Sequence, residues 1–305
     1  GIVFIYISYF CTEVSIKMYK CLKDKNAGKI FSVFFLIFII SYLFTTVNGA
    51  EDSKKHEGIL LPVIMYHAVY TDISVYPDYI ITPDTLESDM KYLKDNGYTA
   101  ILTEDLINYI DNNVPLPEKP IMITFDDGYY NNLYYALPIL QKYDMKAVIS
   151  VVGIFSDTLA HNDPGIPSYS YLTWDNINTL IESGIIEIGN HTYQFHSCKN
   201  RKGCTRLAGE SEEDYQRILM SDLEKLQDLL RINCGMVPIS FAYPYGSICR
   251  ESIPVLKVMG FRCTFNCYEK PNYITRDPDC LFSLNRYNRS NSVSTNQFMK
   301  QALSG

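Results

Sequence analysis

Apolar residues follow two periods along this chain. From residue 59 onward, short and largely apolar runs occur at Ile59–Tyr66, Thr99–Leu102, Pro120–Phe125, Lys146–Val152, Ile185–Gly189, Ile239–Tyr243 and Phe261–Phe265, with another near Leu281–Arg286. Such runs predict strands that are buried on both faces. Between them, apolar residues recur every three or four positions, which predicts helices at about 104–111, 130–142, 173–183, 211–231 and 250–259. Thr82–Asn96 predicts a further helix, with Thr82 as N-cap, Pro83 in the first turn, Leu86, Met90 and Leu93 on one face, and Gly97 as the stop. In the longest helix Ser211 and Asp214 stand in capping-box register ahead of Tyr215, Ile218, Leu219, Leu223, Leu226 and Leu230. Continuous apolar strands alternating with helices imply a parallel sheet covered on its outer face. Seven or eight such units in about 240 residues predict an α/β fold of the distorted (β/α) barrel kind rather than an open sheet. The chain has no internal repeat and no sign of a second domain.

The segment before residue 59 reads differently. Ile30–Val47 runs 18 residues without a charge, behind Lys20, Lys23, Lys25 and Lys29, and ahead of the small residues of VNGAED. That order describes a signal peptide or an N-terminal membrane anchor over residues 18–50, since such a helix would span about 27 Å. Met18 reads as the natural start, residues 1–17 as an upstream extension, residues 51–58 as a polar linker and residues 59–305 as the folded domain. The expectation is a protein outside the cytoplasm, secreted or anchored by one transmembrane segment.

Composition narrows the partners. Formal net charge is −7 and no basic stripe is present, so nucleic acid is not expected as a partner. Seven of the nine cysteines (Cys198, Cys204, Cys234, Cys249, Cys263, Cys267, Cys280) follow residue 190, and outside the cell they could pair. Cys198 and Cys204 flank a short loop and are the readiest candidates for a local staple. No CxxC pair occurs, which weakens a cysteine zinc site.

In a β/α barrel, the chemistry sits just past the strand C-termini. Three stretches meet that criterion: MYHAVY with His67, ITFDDGYY with Asp126, Asp127 and Gly128, and IGNHTYQFH with His191 and His196. The two histidines are five positions apart, a spacing that no regular element brings together. On a helix the second ring would be turned by about 140°, and on a strand it would face the other side. A loop can fold both toward one point. Two imidazoles and a carboxylate suit Zn²⁺ or another borderline divalent ion, Co²⁺ or Ni²⁺ included. Taken singly, DDG also reads as a turn and the two histidines as solvated loop residues.

TFDDGY, the HT…H loop and FAYPYG (241–246) resemble the signature motifs of the polysaccharide deacetylases, the NodB-homology carbohydrate esterases, over roughly Ile59 to Arg289. Within that family the chain is most similar to the branch acting on poly-N-acetylglucosamine, through LPVxMYH, GYT and the wider histidine spacing. The resemblance implies a hydrolase that removes acetyl groups from an acetylated cell-surface or extracellular polysaccharide. It implies Asp127, His191 and His196 as metal ligands, Asp126 as general base, and the Tyr245 backbone N–H in the oxyanion hole. No cofactor beyond the metal is implied. Most of the family carries a late Leu-x-His general acid, but no histidine follows His196. In the resembling branch an early histidine fills that role, which points to His67, since His56 sits in the polar linker and His161 in a turn-like loop. FAYPYG also lacks the arginine that orients the aspartate, and Arg286 in LNRYNR is the candidate replacement. Peptidoglycan and O-acetylated xylan compete as substrates. A catalytically idle glycan-binding module and an Fe(II) oxygenase built on a two-histidine carboxylate triad are the readings from other classes.

Overall fold

A computed structural model describes residues 57–72, 78–159 and 165–304. The apolar segment 30–47, His56 and His161 therefore lie outside the described residues. Among those described, no helix is long and apolar enough to cross a membrane.

Eight parallel strands form the frame: β1 (Val63–Tyr66), β2 (Thr99–Ala100), β3 (Pro120–Phe125), β4 (Ala147–Val151), β5 (Ile186–Asn190), β6 (Ser240–Ala242), β7 (Cys263–Phe265) and β8 (Tyr287–Asn288). Their order across the sheet is β7-β6-β5-β4-β3-β1-β8, with β2 also paired to β3. The sheet curls toward closure through one irregular segment. The Leu284 amide donates to Thr264 O, and three residues later Tyr287 pairs with Ile64 of β1. The same stretch thus touches both edges, and the expected distorted barrel is what forms.

Helices cover the outside: α1 (Pro83–Asp95), α2 (Thr103–Asn112), α3 (Leu137–Tyr143), α4 (Trp174–Glu182), α5 (Glu212–Cys234), α6 (Ser252–Val258) and α7 (Thr295–Ala302). Thr82 caps α1 by accepting the Thr85 amide at 3.1 Å, and Ser211 caps α5 by accepting the Asp214 amide at 3.0 Å. Each such cap stabilises its helix by about 1 kcal/mol. The apolar faces of α1, α3, α4 and α5, through Leu86, Met90, Leu140, Ile177, Leu180 and Leu226, pack on Ile64, Ile123, Ile149 and Ile188.

Alternation along each strand then decides what points inward. In β3, Ile121, Ile123 and Phe125 belong to the outer layer under the helices, while Met122 belongs to the inner cluster with Val63, Val148 and Ala242. Residues two apart share a face. The inner row of β1 therefore runs 63, 65, 67, that of β3 runs 122, 124, 126, and that of β5 runs 187, 189, 191. His67, Asp126 and His191 each end such a row.

Several expectations need correction. The run Ile59–Tyr66 is two strands. Ile59–Leu60 pairs antiparallel with Tyr273–Ile274, and Pro62, which has no N–H to give, separates it from β1. The strand expected near Leu281–Arg286 is displaced to Tyr287–Asn288, because Pro278–Leu281 forms a 3₁₀ turn and Ser283 takes a positive φ of 73°. The helix expected at 130–142 begins with a π-helical turn at Asn132–Ala136 and becomes regular from Leu137. Helix α7 was not expected at all. The staple between Cys198 and Cys204 is not made: all seven cysteines after residue 190 are free. Cys204 is buried against Tyr215 and Phe241, whereas Cys198 is exposed to solvent.

Candidate active site

The C-terminal ends of β1, β3, β5 and β6 open into a cavity of ≈ 700 Å³, whose walls include His67, Asp126, Asp127, His191, His196 and Tyr245. All six residues singled out from the sequence thus line one space. Backbone ladder bonds place two of them rigidly. The Asp126 amide donates to Tyr66 O at 3.0 Å and the His191 amide to Val151 O at 3.0 Å, so β3 and β5 stay paired up to the site.

Asp127 follows Asp126 and in a regular strand would face outward. Instead it adopts φ 73°, and so does Gly128 after it, which turns the Asp127 side chain back toward the cavity. Non-glycine residues seldom adopt that region, and where they do the strain commonly belongs to a functional site. A side chain at Gly128 would be strained in that conformation and would also bring a Cβ to 3.0 Å from Val151 Cγ1. Thr192 (φ 71°) and Tyr245 (φ 58°) share this conformation, so three of the six positive-φ non-glycine residues among those described border the site.

Asp127 Oδ1 lies 3.1 Å from His196 Nε2 and 3.6 Å from His191 Nε2. One ligand atom from each of the three residues falls within 4.8 Å of the others. The loop answers the spacing puzzle directly: Thr192 turns the chain, and its hydroxyl accepts the His196 amide at 3.2 Å. A short 3₁₀ turn at Phe195–Ser197 then aims His196 back at Asp127 while Phe195 is buried in the neighbouring core. His191 Nδ1 stands 2.8 Å from Ala242 O. A carbonyl only accepts, so Nδ1 carries the proton and Nε2 presents its lone pair to the cavity. Burial pushes the His191 pKa below its ordinary value, against the pull of Asp126 and Asp127, which keeps the ring neutral as a ligand must be.

The donor set fits a divalent cation. Asp127 Oδ1 is buried without a hydrogen-bond partner, and it converges with two imidazole nitrogens. An unsatisfied buried carboxylate oxygen costs energy unless something positive meets it. Burial raises the Asp127 pKa, but His196, His67 and His191 outweigh it and hold the carboxyl below its ordinary value.

Asp126 has different neighbours. Arg286 donates to both of its oxygens, Nη1 to Oδ1 and Nη2 to Oδ2, each at 2.7 Å, and Arg286 also donates through Nε to Asn266 O at 2.8 Å. Arg286, the residue expected to replace the arginine missing from FAYPYG, is thus brought onto Asp126. Burial works to raise the Asp126 pKa, yet Arg286 first and then His191 and His67 hold it well below the ordinary carboxylate range. His67 lies at the cavity wall, edge-on to the half-exposed Tyr79 at 5.1 Å between ring centroids. Its Nδ1 is buried with no hydrogen-bond partner.

Sequence reasoning missed the role of the Tyr245 side chain. Its ring stacks on His196 at 4.8 Å and 25°, and its hydroxyl donates to His196 O at 2.6 Å, so the residue grips the second histidine from both ends.

Residues 113–264 match the family model described as polysaccharide deacetylase. The chain carries a polysaccharide deacetylase domain. The poly-beta-1,6-N-acetyl-D-glucosamine N-deacetylase of Escherichia coli (strain K12) is 26% identical over 235 residues, covering 71% of this chain and 35% of that protein. The chain thus spans about a third of that relative's length. YxkH of Bacillus subtilis (strain 168), provisionally named a polysaccharide deacetylase, is 28% identical over 245 residues, covering 80% of this chain and 77% of that one. Among solved structures, IcaB from Ammonifex degensii superposes with a TM-score of 0.66 at 24% identity, covering 81% of this chain and 98% of that one. That likeness supports the fold of the deacetylase domain.

Proposed function

We propose that this deacetylase domain hydrolyses the N-acetyl groups of an N-acetylglucosamine polymer outside the cytoplasm, with a divalent metal, zinc in the first instance. The observation that carries the reading is the convergence of Asp127, His191 and His196 beside an Asp126 that Arg286 holds in place. The relative from Escherichia coli acts, by its name, on poly-beta-1,6-N-acetyl-D-glucosamine. Export rests on the apolar segment 30–47 behind its lysines.

Bound at Asp127, His191 and His196, the metal supplies Lewis-acid polarisation of the acetyl carbonyl and lowers the pKa of water. The chain's own groups do the rest. Asp126, ionised and held bidentate by Arg286, accepts the proton of the attacking water. The backbone N–H of Tyr245, placed by the strained turn after β6, faces the oxygen that gains charge. His67 hands a proton to the departing amine, because an amide anion is too poor a leaving group to depart unaided. Asp126 and His67 come from adjacent strands, and both end inward-facing rows of side chains.

The test is acetate release from poly-N-acetylglucosamine, chitooligosaccharides, peptidoglycan and acetylated xylan, with and without chelator. The reading requires metal-dependent release from an N-acetylated polymer. Release from xylan alone would replace it with an O-acetyl esterase, and no release from any of the four would leave a glycan-binding module.

A further inference from the structure

The loop that carries both histidine ligands has no regular structure of its own between Asn190 and Phe195, yet its geometry must hold to fractions of an ångström. Besides the Tyr245 hydroxyl on His196 O, a second side chain from outside the loop meets its backbone. Asp222, on α5, accepts the Tyr193 amide at 2.8 Å through Oδ1 and the Gln194 amide at 2.9 Å through Oδ2. The Phe195 amide also turns toward it. Consecutive backbone N–H groups pointing to one place make a concave anion site. Here the anion is built into the protein.

We propose that Asp222 is the positioning residue of the metal-binding loop, and that its carboxylate sets the separation of His191 and His196. The proposal rests on the metal reading of those histidines. The loop amides point away from the cavity toward α5, the two imidazoles point into it, and Asp222 fixes the backbone between them. The outer end of the loop is tied separately: Tyr193 OH donates to Asp157 Oδ2 at 2.8 Å, and Lys225 Nζ lies 3.6 Å above the Tyr193 ring centroid.

The carboxylate is held here although burial disfavours its charge. Burial pushes the Asp222 carboxyl up to about 6, despite the amides of Tyr193 and Gln194 and the charge of Lys225, which pull it down. Its folded value lies above the ordinary 3.8. The stability it contributes is therefore fully present below 3.8 and is lost as pH rises through about 6. Only the ionised carboxylate offers an acceptor to both loop amides at once, so the bonding pattern calls for the charge despite the cost of burying it.

Asp222→Asn separates the two roles. Asparagine offers one acceptor and one NH₂, so one of the two loop amides faces a donor and loses its bond. Zinc affinity, measured at pH 7.5 by competition with a chelating dye on the full chain, should fall about 10- to 100-fold, while the thermal midpoint changes little, because the lost amide bond and the relieved buried charge oppose each other. Asp222→Glu should recover part of the affinity. Unchanged zinc affinity in Asp222→Asn overturns the proposal, as does a lost thermal midpoint with affinity intact. Hydrogen exchange on the metal-free wild type tests the same point without any substitution: the amides of Tyr193 and Gln194 should be protected, and exchange at free-peptide rates overturns the proposal. If wild type and His191→Ala titrate identically with zinc, the metal reading has failed instead, and protected amides would still report the loop's anchor.

Discussion

Arg286 and Arg289 stand three residues apart on one segment, both are fully buried, and each meets a buried aspartate. Arg286 faces the barrel interior and donates twice to Asp126 at the cavity floor. Arg289 faces outward and donates to Asp89 of α1 at 2.7 and 3.1 Å. There Asp89 also accepts from Thr295 at the start of α7 and from Tyr66 of β1. The odd offset puts the two guanidinium groups on opposite faces of the sheet. The chemistry is the same on both sides, but the surroundings differ. The outer pair is buried among hydrogen-bond partners and clamps helix α7 to α1. The inner pair borders a cavity, an unpartnered Asp127 oxygen and an unpartnered His67 nitrogen. A buried ion pair therefore says little about role until the space next to it is known.

The contrast can be broken from either end. Asp89→Ala leaves the Arg289 charge buried and unpaired, so unfolding in urea should show a loss of about 3–5 kcal/mol. A stability change under about 1 kcal/mol would mean that the outer pair is not a clamp. Asp126→Asn should instead lower kcat by about 10²–10⁴ while zinc content is retained. Loss of zinc in that variant, with activity per bound zinc unchanged, would move Asp126 into the ligand set.

His67→Asn sharpens the inner side further. Amide turnover should fall by about 10²-fold, whereas an activated ester, whose leaving group needs no proton, should lose far less. An equal loss on both substrates would remove His67 from the general-acid role. The smallest effect concerns pH. Because Asp126 has its pKa depressed, the stability of its pair with Arg286 is fully present above the ordinary carboxylate value of 3.8 and is lost as pH falls through the lowered one. The stability difference between wild type and Asp126→Asn should accordingly stay flat from pH 5 to 8. A difference that closes between pH 6 and 7 would contradict the assignment.

Much of this was legible in the residues because apolar runs mark strand ends. His67, Asp126 and His191 were singled out as lying just past such ends, and the strand Pro120–Phe125 and the N-cap at Thr82 stand as expected. The five-residue histidine spacing marked a loop and is one. What was hidden depends on contacts between residues far apart in the chain. Arg286 is 160 residues from Asp126 and was reached only through the family resemblance, and Arg289 is 200 residues from Asp89 with nothing local to mark that pair. Helix α7 buries only Phe298, Met299 and Ala302, too few apolar positions to stand out. Nothing in the sequence sets Asp222 apart from the other polar residues of a long helix, and only the fold brings loop amides to it. The cysteines misled for the same reason: Cys198 and Cys204 are near in sequence, but one side chain goes to the core and the other to solvent.

The proposed metal site needs Asp127, His191 and His196 together. Zinc content after equilibration, measured on wild type, His196→Ala and Phe195→Ala, tests it most directly. Phe195 packs in the core beside the loop, and His196 Nε2 faces Asp127 Oδ1. Wild type and Phe195→Ala should each retain about one zinc per chain, and His196→Ala should lose it. An empty Phe195→Ala beside a fully loaded His196→Ala would contradict the account.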